Sequence, residues 1–289
     1  MTTCFIGFFG ITRALPWTID SIERCIFAPL HRAGVAQIHA AHFNLPSTLH
    51  APRSGERGIE FELGDIRRLR LDRHVVEPQG EDAIAAPLAA ILRVPQKGED
   101  DADGATRRNA LYQLHSLRGL GRIFADMNPL SYDAVLLLRP DLRYLDPLPV
   151  RQLLAQLGRA GGRAPLQRMV GHMHRRFRPP ADMVVPAWHK WGGLNDRFAI
   201  CTPDAAMAYM NRIDSVAAYC AQAGHFQSEH LLAFAMAQAG LRTADTWVRA
   251  ERVRTGGRVE AKDSFAPKER LKWFLGYPEG GLRATGALA

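Results

Sequence analysis

The stretch YDAVLLLRPDLRYLDPLP, Tyr132 to Pro149, decides the fold. Ala134 to Leu138 form an unbroken apolar run, the pattern of a buried strand. Arg139, Pro140, Asp141, Arg143 and Asp146 follow at once. Pro140 fixes its own φ and biases Arg139 towards an extended shape, so the strand ends in a defined direction. Ligands of open α/β sheets bind beyond the carboxyl ends of the strands. Asp141 is therefore expected at that edge, with an arginine on either side. A carboxylate there can hold a divalent metal that bridges a diphosphate, and the arginines can bind phosphate directly. The plainer alternative is a salt-bridged strand end with no ligand.

The flanking sequence supports a parallel α/β sheet. TCFIGFFG (Thr3 to Gly10) reads as a buried strand. WTIDSIERCIFAPLHRAG reads as an amphipathic helix with Ile19, Ile22 and Ile26 at helical spacing, stopped by Gly34. VAQIHAAHF reads as the second strand. Residues 44 to 64 read as loop, and Gln96 to Arg108 as a polar surface loop. A helix is expected over RNALYQLHSLRGLGRIFADM, a short one over LPVRQLLAQLGRAGG, and a strand over DRFAICT. DAAMAYMNRIDSVAAYCAQAG and SEHLLAFAMAQAG read as two further helices closed by glycine. The expectation is one α/β domain over 1–289, Rossmann-like, with a mostly parallel central sheet flanked by helices and a helical, basic C-terminal part.

The 289 residues carry a formal charge of +8, unevenly placed: residues 142 to 178 hold eight arginines against the single acid Asp146. Such surfaces attract phosphates on nucleotides, nucleic acid or lipid headgroups. No apolar run approaches the roughly 20 residues of a membrane span. Four cysteines without a CxxC pair, and a start without a basic leader, fit a cytoplasmic protein. No GxxxxGKS or GxSxG motif occurs, which argues against a P-loop kinase or an α/β-hydrolase. The aromatics do not interleave with arginines as in RNA-binding sheets, so no nucleic-acid partner is expected.

WHKWGGLNDRFAI is the second informative segment. Tryptophan stacks on the apolar faces of sugars, and Asn and Asp bind their hydroxyls. Trp188, His189, Trp191 and Asn195 are thus candidates for holding a sugar, with Gly192 and Gly193 allowing a tight bend. Asp196 and Glu229 are the candidate carboxylates for taking a proton from a hydroxyl. The pair His172 and His174 in GHMHRRFRPP is read as structural.

The segment YDAVLLLRPDLRYLDPLP resembles the strand end of GT-A-type glycosyltransferases, in a variant with Arg-x-Asp in place of Asp-x-Asp. The segments VPAWHKWGGLNDRFAICTPDAAMAYMNRI, HFQSEHLLAFAMAQAGLR, RVRTGG and GFFGITRALPWTIDSI are similar to other parts of that family, in order along most of the chain. The resemblance implies a donor-binding half, 1–146, and an acceptor-binding half, 147–289, with a nucleotide-sugar donor, most often a UDP-sugar, and a glycan, lipid-linked glycan or small-metabolite acceptor. It places Arg13, Arg139, Asp141, Arg252 and Arg254 at the donor. The sequence departs from the family in lacking the Asp-x-Asp pair. Manganese or magnesium would fall to Asp141, with Asp146 as the nearest second acid. The apolar LKWFLGY near the end would suit peripheral contact with the inner face of a membrane. The alternatives are an inactive sugar- or nucleotide-binding protein of the same fold and a basic nucleic-acid-binding protein.

Overall fold

A computed structural model describes residues 2–51, 55–60, 66–95, 104–157, 180–259 and 263–265. The chain opens with β1 (Thr3–Gly10) and α1 (Leu15–Ile22), which continues through a π-helical turn, Glu23–Phe27, into α2 (Ala28–Arg32). Then come β2 (Ala36–Leu45), β3 (Thr48–Ala51), β4 (Glu56–Glu60), β5 (Arg73–Pro78), α3 (Ala85–Ile91) and α4 (Ala105–Asp126). The opening stretch of the sequence supplies β6 (Ala134–Leu138) and β7 (Leu142–Tyr144). The chain continues through α5 (Val150–Gln156), β8 (Met183–Pro186), β9 (Ala199–Cys201), α6 (Pro203–Met210), α7 (Val216–Ala223) and α8 (Ser228–Gln238). It closes with β10 (Thr243–Thr246) and β11 (Ala250–Arg252).

Seven strands form one sheet in the order β10-β8-β9-β6-β1-β2-β5. All pairings are parallel except those of β9, which runs against both β6 and β8. The alternation of side chains along β1 sorts the core onto two faces. Phe5 and Phe9 pack with Leu111, Leu117 and Leu120 of α4 and Leu231 of α8. Ile6 and Phe8 pack with Leu15 and Ile19 of α1 and Leu153 of α5. With both faces covered, the inner strands tolerate apolar residues at every position, which is why AVLLL of β6 is buried throughout. Strands from both expected halves enter this one sheet.

Chain order reverses between β1 and β6: from β1 the sheet grows one way to β2 and the other way to β6. A crevice beyond the carboxyl ends of those two strands is the place where such sheets bind ligands. Arg13 follows β1, and Arg139 to Asp141 follow β6, so both lie at that edge of the sheet.

Three local expectations are corrected. Residues 44 to 64 contain a hairpin, β3 pairing antiparallel with β4, rather than only loop. The helix expected over 204–224 is broken by a 3-10 turn, Arg212–Ser215, which leaves Arg212 inside the protein. The basic segment from 249 forms no α-helix where it is described: β11 pairs antiparallel with β7, Thr255–Gly257 make a 3-10 turn, and Val253 bridges to Val259. The histidines at 172 and 174 and the stretch LKWFLGY lie outside the described residues, as do 96–103.

Candidate functional site

The turn after β6 is built around Asp141, which is 2% exposed. Arg139 grips it with two hydrogen bonds, Nε to Oδ1 at 2.8 Å and Nη2 to Oδ2 at 2.7 Å. Arg139 Nη1 also donates to Gln113 Oε1 of α4 at 2.5 Å. Arg13 approaches the same carboxylate at 3.5 Å and pairs with Glu56 of β4 at 2.8 Å. The backbone is clamped on both sides. Thr18 of α1 donates to the Pro140 carbonyl at 2.5 Å, and the Val253 amide donates to the Asp141 carbonyl at 2.8 Å. Burial alone would raise the Asp141 carboxyl, but Arg139, Arg13 and Arg252 outweigh it and hold it well below the usual range. Burial pulls the Arg13 guanidinium down despite Asp141 and Glu56.

The strand β11 and the turn after it bring in Arg252 and Arg254. Arg252 pairs with Asp263 at 3.2 Å, and Asp263 also pairs with Arg197 from the loop before β9. Arg254 lies 4.0 Å from Glu56, whose other oxygen accepts from the Thr255 amide and hydroxyl at 2.9 and 2.7 Å. Burial opposes the charge on Asp263, yet Arg252 and Arg197 hold its carboxyl far below the usual range.

The loop of residues 187–198 follows β8 at the same edge of the sheet. Its predicted contacts divide into two kinds. Trp188 is 1% exposed, and its indole N–H donates to the Val248 carbonyl at 2.9 Å. Asn195 is buried too: it donates to the Trp188 carbonyl at 2.5 Å and accepts from the Arg197 amide at 2.9 Å. The side chains of these two are spent on the backbone of the loop and of Val248. His189 and Trp191 have left-handed φ values of 47° and 49°, a strain of about 1–3 kcal/mol each that is typical of functional loops. Trp191 remains 46% exposed and stacks on His189, centroids 5.8 Å apart at 17°. Burial, then Arg197, pushes the His189 imidazole down to about 4, so it is neutral at physiological pH.

Gly193 is where this loop meets α8. A Cβ added there would lie 2.2 Å from the Glu229 carbonyl oxygen. Gly193→Ala is therefore expected to cost about 1–3 kcal/mol, read as a lower midpoint in urea unfolding. An unchanged midpoint would show that the helix start yields freely.

Glu229 and Asp196 come together across that contact. Ser228 donates to Asp196 Oδ2 at 2.6 Å, and Tyr209 donates to the Asp196 carbonyl at 2.8 Å. Arg212, fully buried, holds its guanidinium 3.8 Å from the same carboxylate oxygen. Burial and the neighbouring Asp196 push the Glu229 carboxyl up to about 7, against the pull of Arg197 and Arg252. A carboxyl poised there exchanges a proton at physiological pH.

The metal role expected for Asp141 does not fit. Both of its oxygens are taken by Arg139. Asp146 is turned away, accepting from the Arg249 amide and guanidinium at 2.6–2.9 Å. Among the described residues, no group of three His, Cys, Asp or Glu is placed to hold a metal ion. Glu56, Gln113, Asp263 and Arg212 were not anticipated. Each is a lone polar residue that only the tertiary fold brings to the crevice. Arg197 was visible only as part of the Asn-Asp-Arg triplet.

No protein-family model and no curated protein matches the chain. Among solved structures, mouse xyloside xylosyltransferase 1 in its apo form aligns over 85% of this chain and 85% of its own. The identity is 12% and the TM-score 0.37, too low to carry fold or function across.

Proposed function

We propose that the protein is a glycosyltransferase of the GT-A type, taking its sugar from a nucleoside diphosphate sugar, with a UDP-sugar as the expected donor. The observation that carries this reading is the arginine cluster at the reversal point of the sheet. Arg13, Arg139, Arg197, Arg252 and Arg254 face the three carboxylates of Glu56, Asp141 and Asp263. The surplus of two positive charges suits a diphosphate of about two negative charges. Arg13 Nε and Arg197 Nη1 are buried donors with no acceptor among the described residues, an arrangement that favours an anionic oxygen. Guanidiniums would thus do the neutralising work for which the family resemblance implied a metal, and Asp141 would orient Arg139.

In the proposed reaction, the Glu229 carboxylate takes the proton of the acceptor hydroxyl. That oxygen bonds to the anomeric carbon as the bond from carbon to the diphosphate oxygen breaks. The electron pair leaves on the diphosphate, where the arginines stabilise it. Asp196 sets the proton affinity of Glu229. The exposed Trp191 offers a face to an acceptor sugar, with His189 behind it. Peripheral membrane contact would serve a lipid-linked acceptor; among the described residues no helix is long and apolar enough to cross a membrane. Titration calorimetry with UDP tests the donor reading. Saturable heat that disappears in Arg139→Gln is expected, and no binding of UDP or of any other nucleoside diphosphate would overturn it.

A further inference from the structure

The segment Asp263–Phe265 lies across both halves of the proposed site. Its carboxylate is 1% exposed and joins Arg197, from the loop before β9, to Arg252, at the end of β11. Arg254 adds a third positive charge nearby. Two residues on, the Phe265 ring stacks on His189, centroids 6.0 Å apart at 26°, and meets Trp188 edge-on at 5.2 Å. His189 thus stacks with both Phe265 and Trp191. The backbone is anchored as well, since the Phe265 amide donates to Glu251 Oε1 at 3.0 Å.

A carboxylate between guanidiniums has the charge and the acceptor geometry of a phosphate. An aromatic ring stacked on the loop proposed for the acceptor occupies space that a sugar would use. We propose that Asp263 and Phe265 form a built-in competitor, in which the carboxylate holds Arg197 and Arg252 until a diphosphate displaces it. The inference rests on the donor reading above. A purely structural ion pair would make a different prediction. Removing it would leave the buried Arg197 and the partly buried Arg252 guanidiniums unmatched, which lowers stability and disorders the site. A competitor, when removed, also lowers stability but tightens the binding of the anion it displaced.

The test is titration calorimetry of pyrophosphate and of UDP against the full chain and Asp263→Asn at low salt. The expected result is about a tenfold or greater fall in Kd for both probes, together with a lower unfolding midpoint. An unchanged or higher Kd in a variant that still unfolds cooperatively would overturn the inference and leave the donor reading standing. Should Asp263→Asn fail to fold, Phe265→Ala keeps the ion pair and removes the aromatic anchor. A smaller fall in Kd is expected from it, and no fall would count against the competitor. Absence of binding by the native chain and by both variants would overturn the donor reading and the competitor with it.

Discussion

Glu229→Gln is expected to lower turnover by about 10²–10⁴-fold while leaving UDP affinity nearly unchanged. The glutamine keeps the shape of the helix start but cannot take a proton. In the native protein, turnover should rise with pH through about 7, the value to which burial and Asp196 push the Glu229 carboxyl. Asp196→Asn removes the second of those causes, so the inflection should move to lower pH. Stability carries the opposite sign from activity. The carboxyl binds its proton more tightly in the folded chain than in the unfolded one. Its contribution is therefore full below the ordinary glutamate range and is lost as pH rises to about 7. Thermal scans from pH 4 to pH 8 should show a decline in the native chain that Glu229→Gln lacks. A turnover profile with no inflection near 7, or a glutamine variant with native turnover, would remove Glu229 from the mechanism.

Asp141→Ala has the largest expected effect on stability. The carboxylate is buried under a bidentate guanidinium, with a second arginine at 3.5 Å. Removing one partner of such a pair leaves charge buried and unmatched, at a cost of about 3–5 kcal/mol. UDP binding should fall with it, because Arg139 loses the group that aims it. The depressed carboxyl stabilises the fold above the ordinary aspartate range, and this is lost only as pH falls through its far lower folded value. Asp146→Ala is the matched control. Its partner Arg249 is part-exposed, so its loss should cost no more than about 1 kcal/mol. Equal effects in urea unfolding would contradict the central place given to Asp141.

Both predictions start from residues that the sequence already singled out, and the reason is local. Ala134 to Leu138 declare a buried strand by composition, and Pro140 fixes where it ends, so Asp141 and its arginines fall at the sheet edge without knowledge of the fold. Arg252 and Arg254 were singled out by the family resemblance; the sequence itself shows only that they stand two apart in ERVRTGG. A lone Asp in a family-like position does not reveal whether its oxygens face a cation or a guanidinium; here both accept from Arg139. The burial of Trp188 was not legible, because a tryptophan in a glycine-rich loop looks the same whether its indole meets solvent or the Val248 carbonyl. Glu56 and Asp263 left no signal, since each gains its meaning from an arginine far away in sequence. The strands β7, β8, β10 and β11 span only three or four residues, too few for an alternating pattern to register. The break at Arg212–Ser215 is likewise invisible to helical spacing, which continues on either side of it.

The central claim is that guanidiniums, without a metal, hold a nucleoside diphosphate beyond β1 and β6. The measurement that tests it most directly is the UDP affinity of the native chain by titration calorimetry, once with manganese and once with a chelator. The same Kd in both arms, lost in Arg139→Gln, is the predicted result. UDP binding that appears only with manganese would contradict the claim and return Asp141 to the metal.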